Sequence, residues 1–365
     1  MKAFVKFTDM SPDFIAESNC YIRALQRNFD VEWADEPDFV FYSAFGTEFT
    51  RYPKAVKIFL ADEPVIPNFN DCDYAVGPMD IRLDNRYFRH PPFIGYGEKR
   101  CEEELQKRED IQDSMFERKF CNFIYSNAVR GSGAALRMEF CKKLSAYREV
   151  DCPGRVLNNM PNALTPRYVK GTVAREQPGR QHWDQEKLRF LSGYKFTIAF
   201  ENTAMTGWIT EKLLHPFLAH SIPIYWGAPD VAQLFNPRAF INCSDYSDFD
   251  EVVRRVEELD NDREQYMCML REQPLTDAFP MDWETELSDF LSRIIQRGRN
   301  PFEKNPIGFP SMSAEGLVGA CEEGTAGMRA ILQMTMQCMR GRMRYRLRNK
   351  RKQSLLRTGW HAGWK

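Results

Sequence analysis

Two series of short apolar segments, each alternating with segments of helical spacing, constrain the fold of this chain most strongly. The second series begins near Phe120, where an apolar segment is followed by a glycine-containing turn and an amphipathic helix. Strands that alternate with helices form parallel sheets covered by helices on both faces. We therefore predict an α/β fold of two doubly wound, Rossmann-like domains. The predicted strands include KAFVKF, DFVFYS, AVKIFLADEP and DYAVGP in the first series and FCNFIYS, YKFTIAFEN and IPIYWG in the second.

Helical spacing and capping residues predict where the main helices lie. Ser11 precedes Pro12, so we expect the first helix to be capped there and to continue through the segment SNCYIRALQRNF. In the second series we predict helices over 208–221, 248–259 and 283–297.

The length of the chain predicts more than one domain. A chain of 365 residues is too long for one comfortable core, so we expect two domains that face a cleft. Hydrophobic residues make up 43%, which supports packed cores and excludes a mainly disordered chain. The densely charged segment 96–119 separates the two series. We assign 1–115 to an N-terminal domain, 116–300 to a C-terminal domain and 301–365 to a linker and basic tail.

Positive charge is concentrated at one end of the chain, although the formal net charge is only -1. Eleven Lys and Arg side chains and no Asp or Glu lie in residues 329–365. This pattern predicts a basic amphipathic helix for an anionic membrane surface. A solvated or nucleic-acid-binding tail is the alternative, although the near-neutral chain as a whole favours no nucleic-acid partner. The apolar stripe is Leu332, Met336, Met339, Met343 and Leu347, and the basic stripe is Arg340, Arg344, Arg348 and Arg351.

Cysteine usage and the first residues predict a cytoplasmic protein. The ten cysteines form no CxxC pair and no zinc-type spacing. The N-terminal residues lack an uninterrupted apolar stretch of signal-peptide length, and the longest uncharged run is too short to span a bilayer. Together with the basic tail, these features predict a peripheral location on the inner face of the membrane. They do not determine the oligomeric state.

The stretch TGWITEK, residues 206–212, predicts an anion-binding position. It follows a buried strand ending in FEN and enters an apolar helix, so Glu211 and Lys212 lie near a helix N-terminus at the carboxyl edge of a sheet. A helix N-terminus attracts anions, and Lys212 would reinforce it, while Glu211 could accept hydrogen bonds from sugar hydroxyls. Helix capping with a solvated lysine is the alternative.

Two further segments carry candidate charges. Arg137 follows the GSG turn of RGSGAALR and could bind phosphate oxygens opposite Lys212, although a surface arginine on an amphipathic helix is the alternative. In FLADEPVIPNFN, Asp62 and Glu63 end a buried strand, so a carboxylate there is a candidate general base or a loop charge without a task. The short DxD pattern in DCDY is too common to predict a metal site. Few histidines and no GxSxG elbow leave a hydrolase triad unsupported.

The longest ordered pattern resembles a known family. YKFTIAFENTAMTGWITEKLLHPFLAHSIPIYWGAPDVAQLFNPRAFINCSDY, residues 194–246, is similar to the donor-binding signature of the α1,3-fucosyltransferases of glycosyltransferase family 10, bacterial type. The resemblance extends over KFCNFIYSNAVRGSGAALRMEFCKKLS and over ADEPVIPNFNDCDYAVGPMDIRLDNRYFRHP. It implies a GT-B architecture with an acceptor-binding N-terminal domain and a C-terminal domain that binds GDP-fucose. The implied reaction is an inverting transfer of fucose to a galactose- or N-acetylglucosamine-containing acceptor of lactose or N-acetyllactosamine type.

The resemblance also implies roles for individual residues. Glu63 takes the general-base position by its register with PNFN, but the family's GEN is DEP in this chain, so Asp62 remains an alternative. Glu211 is implied to hold fucose, and Trp208 replaces a tyrosine of the family. The other implied donor-site residues are Arg137 and Lys212 on the phosphates, and Asn202. Fixed cations can stabilise the leaving diphosphate, so we expect no required metal, with stimulation by Mn²⁺ or Mg²⁺ left open.

Two other functions stay open at this point. One is a GT-B transferase that uses another nucleotide sugar, and the other is a catalytically silent protein that binds a sugar or a nucleotide. A base opposite phosphate-binding cations favours the enzyme, since a binding protein has no use for a base.

Overall fold

Two parallel sheets organise the part of the chain that the computed structural model describes. The described residues are 1–11, 14–17, 19–61, 63–81, 83–90, 105, 107–128, 132–160, 180–279 and 282–298. The first sheet contains β1 (Lys2–Thr8), β2 (Asp30–Trp33), β3 (Phe39–Tyr42), β4 (Val56–Leu60), β5 (Tyr74–Gly77) and β6 (Tyr87–Arg89), and α1 (Cys20–Gln26) connects its first two strands. The strand order is β2-β1-β3-β4-β5-β6, with every pairing parallel.

The second sheet lies further along the chain and has the order β11-β10-β9-β7-β8, again with parallel pairings. Its strands are β7 (Lys119–Asn122), β8 (Val150–Asp151), β9 (Tyr194–Phe200), β10 (Ile222–Trp226) and β11 (Ile241–Asn242). The helices of this region are α2 (Ser132–Tyr147), α3 (Arg180–Leu191), α4 (Glu211–Leu218), α5 (Val231–Leu234), α6 (Phe249–Asn261), α7 (Arg263–Arg271) and α8 (Trp283–Arg297). The predicted α/β class with two parallel sheets is confirmed.

The central strands explain why the sequence reads as continuous apolar runs. Every residue of β3, β4, β5 and β9 is buried, as expected when helices and loops cover both faces of a parallel sheet. Separate apolar clusters lie on the two faces of the first sheet and around the second. Within the described residues, no helix is long and apolar enough to cross a bilayer.

The first helix begins later than its sequence predicts. Helix α1 starts at Cys20 rather than after Ser11, and the side chain of Asn19 accepts a hydrogen bond of 2.9 Å from the Ile22 amide. Asn19 also donates to the Ile15 and Ala16 carbonyls, so its side chain defines the N-cap. Pro12 lies outside the described residues, and so does the first glycine of the GSG turn at 131–133.

The last described helix returns to the first sheet. Helix α8 lies within the range 116–300 that we expected to form the C-terminal domain. Its buried face nevertheless packs beside α1, and Asn28 donates to the hydroxyls of Ser288 and Ser292. The amphipathic pattern of α8 is visible in the sequence, but such a pattern does not specify which apolar surface the helix covers. The residues that join the first core are Leu287, Phe290, Leu291, Ile294 and Ile295.

The buried side chain of His90, which follows β6, should lower the free energy of unfolding in acid. The ring is 5% exposed and packs beside Tyr21, Phe88 and Trp283. Burial lowers the pKa of His90 to about 4. The folded protein therefore binds fewer protons than the unfolded chain between this lowered pKa and the ordinary pKa of histidine. The free energy of unfolding keeps its full value above about pH 6.5 and decreases as the pH falls toward 4.

We expect His90→Phe to remove up to about 3 kcal/mol of acid destabilisation. The measurement is urea unfolding of both proteins between pH 7 and pH 4, where the free-energy difference between them should change with pH. Carboxylates titrate in both proteins, so their contribution cancels in this difference. Equal pH slopes in both proteins would contradict the prediction.

Candidate active site

The carboxyl end of β9 is the meeting point of two helix N-termini. The Gly133 amide in the first turn of α2 donates to the Asn202 carbonyl at 3.0 Å. A Cβ atom at Gly133 would lie 2.0 Å from the Glu201 carbonyl oxygen, so this approach requires glycine. Thr210, the N-cap of α4, binds the side chain of Glu201. The positive end of a helix dipole attracts anions, so the arrangement suits a negatively charged ligand.

Arg137 is buried behind this edge. It is 1% exposed, its Nη1 donates to Asn202 Oδ1 at 2.9 Å, and its Nη2 donates to the Asn127 carbonyl. The guanidinium stacks 4.1 Å from the ring centroid of Tyr125. Burial lowers the pKa of Arg137, and the neighbouring Tyr125 and Glu201 oppose that change. The alternative of a surface arginine is therefore wrong, and Arg137 contacts the FEN segment directly through Asn202.

Lys212 is held by carboxylates and a hydroxyl. Its Nζ lies 3.4 Å from Glu211 Oε1, 3.4 Å from Glu201 Oε2 and 3.1 Å from Thr210 Oγ1. The side chain of Lys212 is 17% exposed and that of Glu211 is 22% exposed. The alternative of a solvated lysine is therefore wrong, and Thr210 rather than Glu211 caps the helix.

Arg137 contacts Asn202 and Lys212 contacts Glu201, so the structure brings the two predicted cations to adjacent residues at the end of β9. Burial raises the pKa of the Tyr125 hydroxyl, and both Arg137 and Lys212 oppose this shift. The same hydroxyl accepts a hydrogen bond of 2.7 Å from the Phe200 amide at the end of β9. Two positive charges thus converge on the segment that follows β9.

Glu201 is the site residue that the sequence reasoning missed. It is fully buried, and its carboxylate accepts hydrogen bonds of 2.8 Å from the Thr210 amide and 2.8 Å from the Thr210 hydroxyl. Burial raises the pKa of Glu201, and Lys212 opposes that shift. The available signal was a carboxylate placed directly after the mostly apolar strand YKFTIAF.

Trp208, which lies between Glu201 and Thr210 in the sequence, is also buried. It is 5% exposed, and its backbone amide donates to the Met205 carbonyl at 3.0 Å. Its indole Nε1 has no hydrogen-bond partner within the residues that the structure describes. A buried donor without a partner lowers stability, so the indole N–H is an energetically unfavourable group at this position.

Glu63 belongs to the edge of the other sheet. It follows β4, is partly exposed, and its carbonyl accepts a hydrogen bond of 2.6 Å from the Val65 amide. The Ala61 amide donates to the Val76 carbonyl at 2.8 Å, so the loop of Glu63 begins beside the end of β5. Asp62, the alternative base, lies outside the described residues.

The loops after β5 and β9 touch, so the carboxyl edges of the two sheets face each other. Gly207 has a φ of 77°, and a Cβ there would lie 1.9 Å from the Pro78 carbonyl oxygen. Asp230 accepts from the Gly207 amide at 2.7 Å and from Arg89 Nη2 at 2.7 Å. Glu63 therefore stands on the edge that faces the loop leading to Glu211.

The DxD pattern in DCDY serves the first sheet. Asp73 is fully buried, and its carboxylate accepts a hydrogen bond of 2.8 Å from the Lys57 amide on β4. Among the residues described, no group of three or more His, Cys, Asp or Glu side chains could hold a metal ion.

Two Rossmann-like sheets with facing carboxyl edges define the GT-B class of glycosyltransferases. A solved α1,3-fucosyltransferase superposes with a TM-score of 0.66 at 24% identity, covering 81% of this chain and 90% of that one. The same enzyme type with bound GDP gives a TM-score of 0.65 at 23% identity, covering 84% and 93%.

Family models match both halves of the chain. Residues 5–96 match the N-terminal domain of the α-(1,3)-fucosyltransferase FucT, and residues 116–282 match the C-terminal region of glycosyltransferase family 10, the fucosyltransferases. The chain belongs to glycosyltransferase family 10.

Curated relatives agree with this assignment. The α-(1,3)-fucosyltransferase FucT of Helicobacter pylori is 30% identical over 271 residues, which cover 65% of this chain and 52% of the relative. α-(1,3)-Fucosyltransferase B of Drosophila melanogaster is 31% identical over 179 residues, covering 48% and 37%. The chain thus spans about half or less of the length of these relatives.

Proposed function

We propose that the protein is an inverting α1,3-fucosyltransferase that moves L-fucose from GDP-fucose to a galactose- or N-acetylglucosamine-containing glycan. The observation that carries this proposal is the convergence of Arg137 and Lys212 on the segment after β9, beside two helix N-termini. Family membership and the relatives' names support the reaction. A solved α1,3-fucosyltransferase with GDP-fucose, at 24% identity, supports the fold in which this donor is held.

The two cations suit a leaving nucleoside diphosphate. Cleavage of the sugar–phosphate bond builds negative charge on the diphosphate, and fixed cations that meet this charge lower the barrier. In the proposal, Lys212 and Arg137 are the cations on the phosphates. Because both are already held by neighbouring groups, they need little reorganisation when the charge develops.

Three other residues complete the proposed donor site. Glu211 accepts hydrogen bonds from fucose hydroxyls, Asn202 contributes through the amide that Arg137 also contacts, and Trp208 packs against the donor. The indole ring keeps the flat surface of the family's tyrosine but replaces its hydroxyl with an N–H donor.

Glu63 is the proposed general base on the acceptor side. Its carboxylate removes the proton from the acceptor hydroxyl as that oxygen attacks the anomeric carbon of fucose from the face opposite GDP. The bond to the diphosphate breaks as the new bond forms, which inverts the configuration. Asp62 is the alternative base.

The reaction is proposed to require no metal ion, because protein cations can supply the charge that a metal would otherwise bring. Mn²⁺ or Mg²⁺ could still stimulate it by binding the released GDP.

Acceptor-dependent release of GDP tests the function. We expect the wild-type protein to release GDP from GDP-fucose when N-acetyllactosamine or lactose is added, also in the presence of EDTA, and to form a fucosylated product. Release from another nucleotide sugar in a donor panel would indicate a different transferase. Binding of GDP or sugar without release from any donor would indicate the silent binding protein. Loss of release in EDTA would contradict the metal-independent mechanism.

We further propose that the basic tail holds the protein on the inner face of the cytoplasmic membrane. The distribution of charge supports this proposal, since residues 329–365 contain eleven basic and no acidic side chains. These residues lie outside the part of the chain that the structure describes. The attraction of such a segment to anionic lipid is about 1 kcal/mol per basic residue near the surface.

Deletion of 329–365 should move the protein from anionic vesicles to the supernatant while fucosyl transfer continues. Sedimentation with vesicles that contain phosphatidylserine measures this, and vesicles of neutral lipid serve as the control. A truncated protein that still sediments with the anionic vesicles would contradict the proposed role.

A further inference from the structure

The side chain of Glu201 has no chemical task in the mechanism above, although it is the most enclosed carboxylate near the site. It follows β9 directly and is fully buried. Removing a carboxylate from water is costly unless it is paired and hydrogen-bonded. An apolar side chain would serve the core at lower cost, so the retained charge calls for a specific role.

Within the described residues, the hydrogen bonds and the ion pair of the Glu201 carboxylate lead to the start of α4. Its Oε1 accepts from the Thr210 amide at 2.8 Å, and the Thr210 hydroxyl lies within 2.9 Å of both carboxylate oxygens. Lys212 Nζ is 3.4 Å from Oε2 and 3.1 Å from the same hydroxyl. Glu201, Thr210 and Lys212 therefore form one connected group.

Glycines restrict the position of Glu201. A Cβ atom at Gly227 would lie 2.6 Å from its Cγ, and a Cβ at Gly133 would lie 2.0 Å from its carbonyl oxygen. The backbone is held as well, because the Glu201 amide donates to the Trp226 carbonyl at 2.8 Å. The strand end thus presents the carboxylate from a fixed place.

The geometry points to Glu201 as a positioning residue that fixes the start of α4 through Thr210 and orients the Lys212 ammonium toward the diphosphate. This inference rests on the proposed function, since it assigns Glu201 an effect on the nucleotide that it does not itself touch. It acts by charge and hydrogen bonding on Lys212, so its effect should depend on the presence of the lysine.

The test is a double-mutant cycle between Glu201→Gln and Lys212→Met. Gln keeps the size of the side chain and one acceptor for the Thr210 amide but removes the charge beside Lys212. We expect Glu201→Gln alone to lower kcat by about 10- to 100-fold, as for a displaced catalytic group, and to raise the Kd of GDP about tenfold. In the Lys212→Met protein, the same change should alter kcat and the Kd by no more than about twofold.

A buried carboxylate away from the site supplies the matched control. Asp260 is 1% exposed in its side chain and is paired with the buried Lys195. Asp260→Asn should lower the midpoint of thermal unfolding but leave kcat and the Kd of GDP unchanged. Equal and independent losses of activity from Glu201→Gln with and without Lys212 would overturn the inference, because a purely structural role produces additive effects.

Thr210 provides a second route to the same result if Glu201→Gln does not fold. Thr210→Val removes the hydroxyl that contacts both Glu201 and Lys212, and it should reproduce the loss in kcat. Thr210→Ser retains the hydroxyl and should keep most of the wild-type rate, whereas equal losses in the two variants would overturn the inference. GDP binding without turnover by the wild type would contradict the proposed function alone, because the cycle can still be measured on GDP. A wild type that does not bind GDP would overturn both.

Discussion

Replacing Glu63 by Gln is expected to lower the rate of fucosyl transfer by about two to four orders of magnitude, the usual contribution of a general base. The variant keeps the shape of the side chain but cannot accept the proton of the acceptor hydroxyl. Because Glu63 follows β4 on the first sheet, while Arg137 and Lys212 lie at the second, binding of GDP should be unchanged. The measurement is GDP release with saturating donor and acceptor, together with the Kd of GDP.

Two variants make this result specific. Glu48→Gln removes an exposed carboxylate that follows β3 at the same edge of the sheet, and it should leave the rate unchanged. Asp62→Asn decides between the two adjacent carboxylates. If Asp62→Asn loses the activity and Glu63→Gln retains it, then Asp62 is the base and the assignment of Glu63 is wrong.

Replacing Lys212 by Met is expected to lower kcat by about two to three orders of magnitude. One pair of unit charges about 4 Å apart interacts by roughly 4 kcal/mol at an effective dielectric of about 20, and each 1.36 kcal/mol is tenfold in rate. The side chain of Lys212 is 17% exposed, so solvent screens part of this interaction. The expected loss of rate is therefore smaller than the loss that the same charge would cause without screening by solvent. Single-turnover kinetics with GDP-fucose measure the chemical step.

An exposed lysine on a nearby helix is the control for the loss of charge. Lys142 lies on the exposed face of α2, and Lys142→Met should leave kcat within twofold of wild type. Lys212 is a sharper probe than Arg137 because Arg137 is 1% exposed and also binds Asn127 and Asn202. A change at Arg137 would combine lost folding energy with lost catalysis. A Lys212→Met protein with wild-type kcat would remove this residue from the proposed mechanism.

The start of α4 is predictable from its local sequence, whereas its contact with Glu201 is not. TGWITEK predicts a helix N-terminus with Lys212 beside it, because a capping residue followed by an apolar helical pattern is local information. The sequence does not reveal that Thr210 is tied to Glu201, a buried carboxylate at the end of another element. That contact depends on the distance between β9 and α4 in the folded chain.

Arg137 shows the same limit. Its position four residues after Gly133 predicts that it lies near the start of a helix, but a surface position was equally compatible with the pattern. Burial was decided by the close packing of α2 against the end of β9, which Gly133 permits, and by the Tyr125 ring beneath the guanidinium.

By itself, the sequence determined the parallel α/β class, the two series of strands and the residues that carry the candidate chemistry, because periodicity and capping are local properties. Only the tertiary structure decided that α8 packs on the first sheet, that Gly207 meets Pro78, and that Glu201 joins Thr210 to Lys212. These contacts join elements far apart in the chain. They are selected by the shape and polarity of the surfaces that meet, which no single segment encodes.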